Sequence, residues 1–328
     1  MNFVEQEQPT EAIKTLIKNT VLGSNGARYR HVNPLKQLTK LDNPLYFSLM
    51  AKEQCLGNIT LCQRNQSLYL RYFTFHERYQ ASLYSIKRKK SKNSVIKEQV
   101  NRYLNSLIAE TKQSIYAYIE PDNIRSINMA KEFGFNPIAK IAMYHFSRRF
   151  PKASGQFKLL TYDEAIPYIR NQFSTHSYYV ENPQSGLYAA WITNNEMALI
   201  TRLHEGCWEI KSMKGAFGKL LINLIPWVPI LNKIITPNCH KFLAFDSFLV
   251  LNPSIDTNEL NAFLSAGLAH FNVRHMMHWV DESAASSNYL HGVRWGILDK
   301  IIGKSEISLM VKGHAKSGPY FIDAMDML

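Results

Sequence analysis

The sequence is poor in cysteine, contains no long apolar run and has fewer acidic than basic residues. Four cysteines are spread over 328 residues and none stands in a C-x-x-C pair, which predicts reduced thiols rather than a disulfide framework. No apolar stretch approaches the ~18 residues of a membrane-spanning helix. The first ten residues contain two glutamates and no apolar run, which argues against a signal peptide. We therefore expect a cytoplasmic protein without a membrane partner.

The deficit of acidic residues leaves an excess of positive charge. There are 38 Lys and Arg against 26 Asp and Glu, for a formal net charge of +12. Such an excess is typical of proteins that bind nucleic acid, an acidic membrane surface or a polyanionic small molecule. The densest cationic run, residues 87–93 (KRKKSKN), lacks the aromatic residues of a nucleic-acid stacking surface. No nucleic-acid partner is therefore predicted.

The chain is about twice the length of a common domain, and its best linker is the segment from Pro151 to Gly155. This PKASG segment combines Pro, Gly, Ser and a charge between two periodic regions. It predicts a first domain of residues 1–150 and a second of residues 156–328. Both halves close with the order strand, helix, strand, helix, strand, which indicates a repeated domain of the α/β (α+β) class.

Apolar periodicity predicts the elements of each half. In the first half we expect helices at 10–22, 95–108 and 124–133, and strands at 45–50, 55–63, 67–75, 115–119 and 138–146. In the second half we expect helices at 164–173, 260–271 and 289–302, and strands at 158–161, 187–192, 198–201, 207–212, 241–251, 275–281 and 306–311. Residues 217–235, with Trp227 between two prolines, have too few cations for a membrane-surface helix and are predicted to be buried or to form a lid.

One motif follows the central strand of the first half. Residues 119–135, IEPDNIRSINMAKEFGF, predict the end of a strand, then Asn123, then a helix that closes on Gly-Phe. This resembles the signature that ends the Gcn5-related N-acetyltransferase (GNAT) domain, with Asn123, Ser126, Gly134 and Phe135 at matching positions. The preceding order of LGNITL, LYLRYFTF, a basic loop and a helix is also similar, so the resemblance covers residues 30–148. The motif alone also fits a plain helix with a cap and a glycine stop.

The resemblance implies both a fold and an activity. The fold would be two tandem GNAT-like domains, each a mixed, mostly antiparallel sheet flanked by helices. The activity would be transfer of an acetyl group from acetyl-CoA to an amine by direct attack, without a covalent enzyme intermediate and without a metal. The acceptor would be a small-molecule or peptide amine, and the oligomeric state stays open.

Acyl transfer from a CoA thioester requires a site for the pyrophosphate. Backbone N–H groups of a loop that opens a helix can supply it. The predicted cofactor-binding residues of this loop are Arg88, Lys89, Lys90, Ser91, Lys92, Asn93 and Ser94. The family's loop contains two glycine positions, which Ser91 and Asn93 occupy here, so side-chain cations would contribute more of the binding.

The resemblance also implies residues beside the thioester. Backbone N–H groups of Phe73, Thr74 and Phe75 would polarise the carbonyl, and Asn123 and Ser126 would lie near the pantetheine arm. Glu77, and after it His76, are the predicted general bases, because both follow the carboxyl end of that strand. The tyrosine that often protonates the departing thiolate in this family is Ala130 here.

The altered loop and the missing tyrosine leave other interpretations open. One is a degenerate CoA-binding or protein-interaction module without turnover, and another is an aminoacyl or fatty-acyl transferase of the same doubled architecture. In the second half Asp256 stands where a phosphate loop would have cations, so this domain is expected to be a non-catalytic, substrate-shaping repeat. His275 and His278 would face opposite sides of a strand, and no metal site is predicted.

Overall fold

The computed structural model describes residues 2–23, 28–41, 43–76, 92–182, 185–213, 218–229, 231–284, 287–303 and 305–328. The chain divides into two compact units. Unit 1 comprises Met1–Leu22, Asn33–Ala139 and Ser308–Lys316, and unit 2 comprises Gly23–Val32, Lys140–Ile307 and Ser317–Leu328. Within the described stretches, none of the helices combines the length and the apolar character needed to cross a membrane.

Each unit consists of strands in one sheet with helices packed against them. The strands are β1 (Asn2–Gln6), β2 (Arg28–His31), β3 (Leu45–Ala51), β4 (Gln54–Arg64), β5 (Ser67–Phe75), β6 (Ser114–Ile119), β7 (Asn136–Ser147), β8 (Phe157–Leu160), β9 (Leu187–Thr193), β10 (Glu196–Ser212), β11 (His240–Val250), β12 (His275–Asp281) and β13 (Ser305–Lys312). The helices are α1 (Glu11–Asn19), α2 (Pro34–Leu38), α3 (Lys92–Thr111), α4 (Ile124–Glu132), α5 (Tyr162–Phe173), α6 (Gly218–Leu224), α7 (Leu231–Ile234), α8 (Thr257–His270), α9 (Ser287–Leu290) and α10 (Ile297–Ile302). Single 3₁₀ turns occupy Ile225–Trp227 and Ala324–Met327.

The sheet of unit 1 is mixed and mostly antiparallel. Its strand order is β1-β3-β4-β5-β6-β13, and β5 and β6 are its parallel neighbours. Helices α3 and α4 cover one face, where Val100 and Leu104 pack with Leu68 and Ile115. Helix α1 packs on Tyr46 and Tyr72 through its apolar stripe of Ile13, Leu16 and Ile17.

The sheet of unit 2 has the same character. Its strand order is β7-β12-β11-β10-β9-β8, with β2 paired to the end of β10, and β11 and β12 are parallel. Its largest core cluster packs Phe263 and Leu264 of α8 against Phe146, Trp191 and Leu243. The predicted acid before this helix is its N-cap, because Asp256 and Glu259 form a capping box.

The closing strands of the two halves are exchanged. Residues 141–147 of β7, which follow α4 in the chain, pair with β12 in unit 2. Residues 308–312 of β13, near the end of the sequence, pair with β6 in unit 1. Each unit therefore completes its sheet with a strand from the other half of the sequence.

Two predicted elements of unit 2 are corrected by the structure. The predicted helix 289–302 is divided into α9 and α10, because Gly296 has a φ of +104° and a Cβ there would lie 2.3 Å from the carbonyl oxygen of Ser147. The predicted strands 198–201 and 207–212 are one strand, β10. Gly206 does not interrupt it, because the ring of Phe242 on β11 occupies the space that a side chain would need.

The prediction of reduced thiols is wrong for two of the four cysteines. Cys207 of β10 and Cys239, directly before β11, form a disulfide with a Cα–Cα distance of 5.8 Å. Cys55 and Cys62 are buried free thiols on β4. The pair was missed because its partners are 32 residues apart and belong to no spacing motif.

Candidate active site

In unit 1 the parallel strands β5 and β6 separate after a short ladder. Residues 67–69 of β5 pair with residues 114–116 of β6, whereas β5 continues to Phe75 and β6 to Ile119. The carboxyl halves of two neighbouring strands therefore diverge, and their facing backbone groups do not bond to each other. Such strand edges offer N–H and C=O groups to an extended ligand.

A bulge in β5 sets the direction of its carboxyl half. Leu61 and Thr60 of β4 pair with Leu70 and Tyr72, so Arg71 is the extra residue on β5. Side chains alternate between the faces of a regular strand, and a bulge shifts that alternation by one residue. Leu70 and Phe73 consequently both pack with the apolar cluster beneath α3 and α4.

Phe75 ends β5 directly over a glycine. Gly57 of β4 is its cross-strand partner, and a Cβ at Gly57 would lie 2.4 Å from two carbons of the Phe75 ring. The following residue, His76, donates its backbone N–H to the carbonyl of Leu56 at 2.8 Å. The ring and the strand end are thus fixed by β4. The sequence shows Gly57 but gives no local signal for this close approach.

The direction of α3 follows from the strands that it connects. A helix between two neighbouring parallel strands runs antiparallel to both, so the start of α3 is directed towards the end of the sheet where β5 and β6 have their carboxyl ends. The helix is held against the sheet by the core and joined to α4 by an ion pair of 2.6 Å between Lys97 and Glu132. The unbonded N–H groups and the dipole of a helix start favour an anion.

The motif around Asn123 builds the ends of α4. The Asn123 Oδ1 atom accepts a hydrogen bond from the backbone N–H of Ser126 at 3.2 Å. At the other end Gly134 has a φ of +81°, and Phe135 donates its N–H to the carbonyl of Ala130 at 2.9 Å, a glycine stop. Ala130 is itself buried and supplies no proton. Asn123 thus caps α4 shortly after β6 ends at Ile119.

Thr74 contributes a polar atom that sequence reasoning missed. Its side chain is buried, and its hydroxyl is a side-chain oxygen without a hydrogen-bond partner in the part of the chain that the structure describes. A buried hydroxyl without a partner costs free energy. From the sequence, Thr74 was predicted to contribute only its backbone N–H.

Several predicted site residues fall outside the described part of the chain. Glu77, Arg88, Lys89, Lys90 and Ser91 lie between the end of β5 and the start of α3. Lys92, Asn93 and Ser94 form the first turn of α3, which starts three residues before the predicted start at residue 95. The roles of all eight residues stay predictions.

Unit 2 repeats the diverging pair with β11 and β12. Residues 243–245 pair with residues 276–278, and β11 then continues to Val250 and β12 to Asp281. A bulge again follows the ladder, because Arg202 pairs with Asp246 and Ile200 with Leu249.

In unit 2 the segment 320–324 spans this gap. The backbone N–H of Tyr320 donates to Asp281 at the end of β12 at 3.0 Å, and that of Ala324 donates to Asp246 on β11 at 2.7 Å. The cavity that remains beside these residues is about 30 Å³, which is room for about one water. The gap of unit 2 is therefore filled by the chain itself.

Asp246 is the centre of a buried ion-pair network. The Arg202 guanidinium donates to both Asp246 oxygens at 2.8 Å and lies 3.3 Å from Asp323. His204, Asp246 and Asp323 place possible metal ligands within 4.8 Å of one another. The guanidinium already supplies the positive charge between the two carboxylates, so the group is a salt-bridge network.

Three buried histidines of unit 2 form a hydrogen-bonded chain. His145 Nδ1 and His275 Nε2 are 3.0 Å apart, and His275 Nδ1 and His240 Nε2 are 2.8 Å apart. Burial, together with His240, lowers the pKa of His145 to about 4, and burial lowers that of His240 to about 4. Each ring is thus neutral in the folded protein.

The three buried histidines predict a loss of stability in mild acid. The pKa values are lower in the folded state than the ordinary 6.5, so the unfolded chain binds more protons between these limits. The contribution of the histidines to the free energy of unfolding is complete above about pH 6.5. It declines by about 2 kcal/mol or more as the pH falls towards 4. Urea unfolding at pH 7 and pH 5 measures it. A His240→Phe variant should show a shallower decline, and equal declines would contradict this account.

Comparison with known proteins gives similarity in structure only. No family model and no curated protein matches this sequence. Yeast (Saccharomyces cerevisiae) N-myristoyltransferase with bound myristoyl-CoA is similar with a TM-score of 0.54 and 8% identity, over 96% of this chain and 83% of that one.

Two acetyltransferase structures are also similar. The putative acetyltransferase from Pyrococcus horikoshii has a TM-score of 0.51 and 9% identity, over 95% of this chain and 90% of that one. A GCN5-related N-acetyltransferase from Sphaerobacter thermophilus has a TM-score of 0.49 and 12% identity, over 94% and 95% of the two chains. The mixed, mostly antiparallel α/β architecture predicted from the sequence is confirmed by the sheets of both units. This chain shares its fold with yeast N-myristoyltransferase and with the putative acetyltransferase from Pyrococcus horikoshii.

Proposed function

We propose that unit 1 is an acyl-CoA-dependent N-acyltransferase that moves an acetyl group from acetyl-CoA to an amine by direct attack. The supporting observation is the gap between β5 and β6. Residues 70–75 of β5 and 117–119 of β6 are not paired with each other. Thr74 on β5 carries a buried hydroxyl without a partner among the described residues, and Asn123 follows β6 as the cap of α4.

The residues around the gap suit the separate tasks of the reaction. Acyl-CoA brings a thioester, whose carbonyl becomes more negative as the amine attacks. Backbone N–H groups of residues 73–75 on the unpaired edge of β5 would donate to that oxygen. The start of α3 and the cations at positions 88–90 would bind the pyrophosphate. Glu77 or His76, after the strand end, would remove the amine proton.

The proton for the departing thiolate has no protein donor at position 130. Ala130 is buried in the apolar cluster of unit 1, so we assign this step to solvent. The expected consequence is a slow enzyme. Its rate should increase with acyl thioester donors whose leaving thiol has a lower pKa, because a better leaving group needs less protonation.

The length of the transferred acyl chain distinguishes two versions of this proposal. Yeast N-myristoyltransferase, whose structure contains myristoyl-CoA, has the same fold at 8% identity, which supports an acyl-CoA donor. Donors with long acyl chains must therefore be tested beside acetyl-CoA. We retain acetyl as the proposed group and fatty acyl as the alternative. The acceptor is a small-molecule or peptide amine.

Calorimetric titration with acetyl-CoA tests the donor site. The Lys89→Ala/Lys90→Ala double variant is expected to bind at least about tenfold more weakly, because two charge-assisted contacts to phosphate are lost. The control, Lys158→Ala/Lys241→Ala, removes the same charge from exposed positions of unit 2 and should bind normally. Equal affinity of both variants for acetyl-CoA would reject the loop assignment.

Turnover separates the enzyme from a binding module. Acetyl-CoA is expected to release free CoA in the presence of a panel of primary amines. Myristoyl-CoA is expected to release less CoA under the same conditions. Binding without CoA release from any amine or peptide would favour the non-catalytic module, and a preference for myristoyl-CoA would favour the fatty-acyl alternative.

A further inference from the structure

Unit 2 contains an open groove that is separate from the gap between β11 and β12. Its volume is about 620 Å³, and it lies among Arg148, the start of α8 and residues 293–300. None of these residues lines the small cavity at the filled gap. A volume of this size is typical of small-molecule sites.

The charges of the groove are not balanced by the protein. Arg148, Arg294 and Lys300 line it, with Asp299 as the acid among them. The Asp299 carboxylate accepts a hydrogen bond from the backbone N–H of His145 and is not paired with any of these cations. Among the described residues, neither guanidinium of the groove forms an ion pair with a carboxylate.

Arg148 is fixed in the groove by neutral acceptors. Its Nη2 donates to Asn261 Oδ1 at 2.9 Å and to the carbonyl of Arg294 at 2.6 Å, and its Nη1 donates to the carbonyl of Ser147 at 2.8 Å. The guanidinium lies 4.0 Å from the ring centre of Phe146. Burial and the nearby Arg294 charge lower the Arg148 pKa. The neighbouring positive charges of Arg148 and Arg294 repel each other, so an anion bound beside them is favoured.

The groove is also lined by an aromatic side chain, Trp295. The Trp295 ring lines the groove and stacks on Tyr144, with ring centres 4.6 Å apart and planes inclined by 20°. It also meets the edge of the Phe146 ring at 6.3 Å. A rigid indole that is supported on one side suits a flat apolar group on the other.

We propose that this groove binds a small phosphate monoester whose planar ring packs on Trp295 and whose phosphate lies between Arg294, Arg148 and Lys300. Three cations against one carboxylate leave two positive charges, which a phosphate monoester dianion neutralises. The planar guanidinium of Arg294 can bond two phosphate oxygens at once. The site does not depend on the acyl-CoA function proposed for unit 1.

Phenyl phosphate is the probe that combines both features, and calorimetry on the full chain measures it. Phenyl phosphate is expected to bind more tightly than inorganic phosphate, and added salt should weaken both. The Arg294→Ala/Lys300→Ala variant changes two exposed side chains and should lose about tenfold or more in affinity. The Lys158→Ala/Lys241→Ala control should retain it.

Four results would overturn the proposal. They are no binding of phenyl phosphate, an equal loss in the control variant, equal affinity for phenyl and inorganic phosphate, and displacement of phenyl phosphate by CoA combined with weaker phenyl phosphate binding in the Lys89→Ala/Lys90→Ala variant. The last result would place the phosphate at the proposed donor site. Failure of acetyl-CoA to bind, by contrast, would reject the proposed function and leave this groove unaffected.

Discussion

Replacing Asp246 with asparagine is expected to lower the free energy of unfolding by roughly 3–5 kcal/mol. The change leaves Asp323, at 3.3 Å, as the carboxylate that the described residues place beside the fully buried Arg202 guanidinium. It also weakens the acceptor for the backbone N–H of Ala324, which joins the C-terminal segment to β11. Urea unfolding at pH 7 measures the loss. Replacing Arg202 with methionine in the same protein should recover part of it, because the unpaired charge is removed.

An exposed ion pair provides the matched control for Asp246. Arg170 donates to Glu181 at 2.7 Å, but the Arg170 side chain is 58% exposed. Glu181→Gln should therefore change stability by less than about 1 kcal/mol. A loss as large as that of Asp246→Asn would show that burial is not the cause.

The Asp246 network also predicts behaviour in acid. Burial opposes the charged carboxylate, yet Arg202 and His204 beside it keep the Asp246 pKa well below its ordinary value. Its stabilisation is complete above the ordinary aspartate pKa of about 4 and declines only below it. Asp246→Asn should therefore remove stability that wild type keeps at pH 5, and the two proteins should converge in strong acid.

Gly57→Ala is expected to cost about 1–3 kcal/mol of stability and to weaken acetyl-CoA binding. The new Cβ would lie 2.4 Å from the Phe75 ring, so the ring and the end of β5 must move. That end is one wall of the proposed thioester site. Urea unfolding and calorimetric titration of the same preparation measure both effects.

Two companion variants make the Gly57 result interpretable. Phe75→Leu combined with Gly57→Ala removes the ring that collides and should restore part of the stability. Gly155→Ala, where no atom lies within 4 Å of the added Cβ, should leave stability unchanged or raise it by up to about 1 kcal/mol. Equal stability of Gly57→Ala and Gly155→Ala would contradict the close contact.

Local sequence signals predicted the elements of unit 1 from β3 to α4 but missed β1 and α2. The bounds of β5 and the cap and stop of α4 follow from alternation, Asn123 and Gly134, which act within a few residues. The same kind of signal failed at Gly206 and Gly296, because the surroundings of each glycine come from distant parts of the chain. The Phe242 ring lies against Gly206, and the Ser147 carbonyl oxygen lies against Gly296.

Long-range features could not be predicted from the sequence. Pairing of β13 with β6 joins residues about 190 apart in the chain, and nothing local in β13 identifies its partner. The Arg202–Asp246 network and the filled gap of unit 2 likewise depend on which strands become neighbours. The Thr74 hydroxyl was missed because its lack of a partner is a property of the packed fold.

Hydrogen exchange of the full chain with and without acetyl-CoA tests whether the gap between β5 and β6 is the donor site. Backbone amides in residues 70–76 and 117–126 of unit 1 are expected to exchange more slowly when acetyl-CoA is bound. No change is expected in residues 246–250 and 279–284, where segment 320–324 already fills the corresponding gap. Unchanged exchange in unit 1 at saturating acetyl-CoA, or protection confined to unit 2, would contradict this assignment.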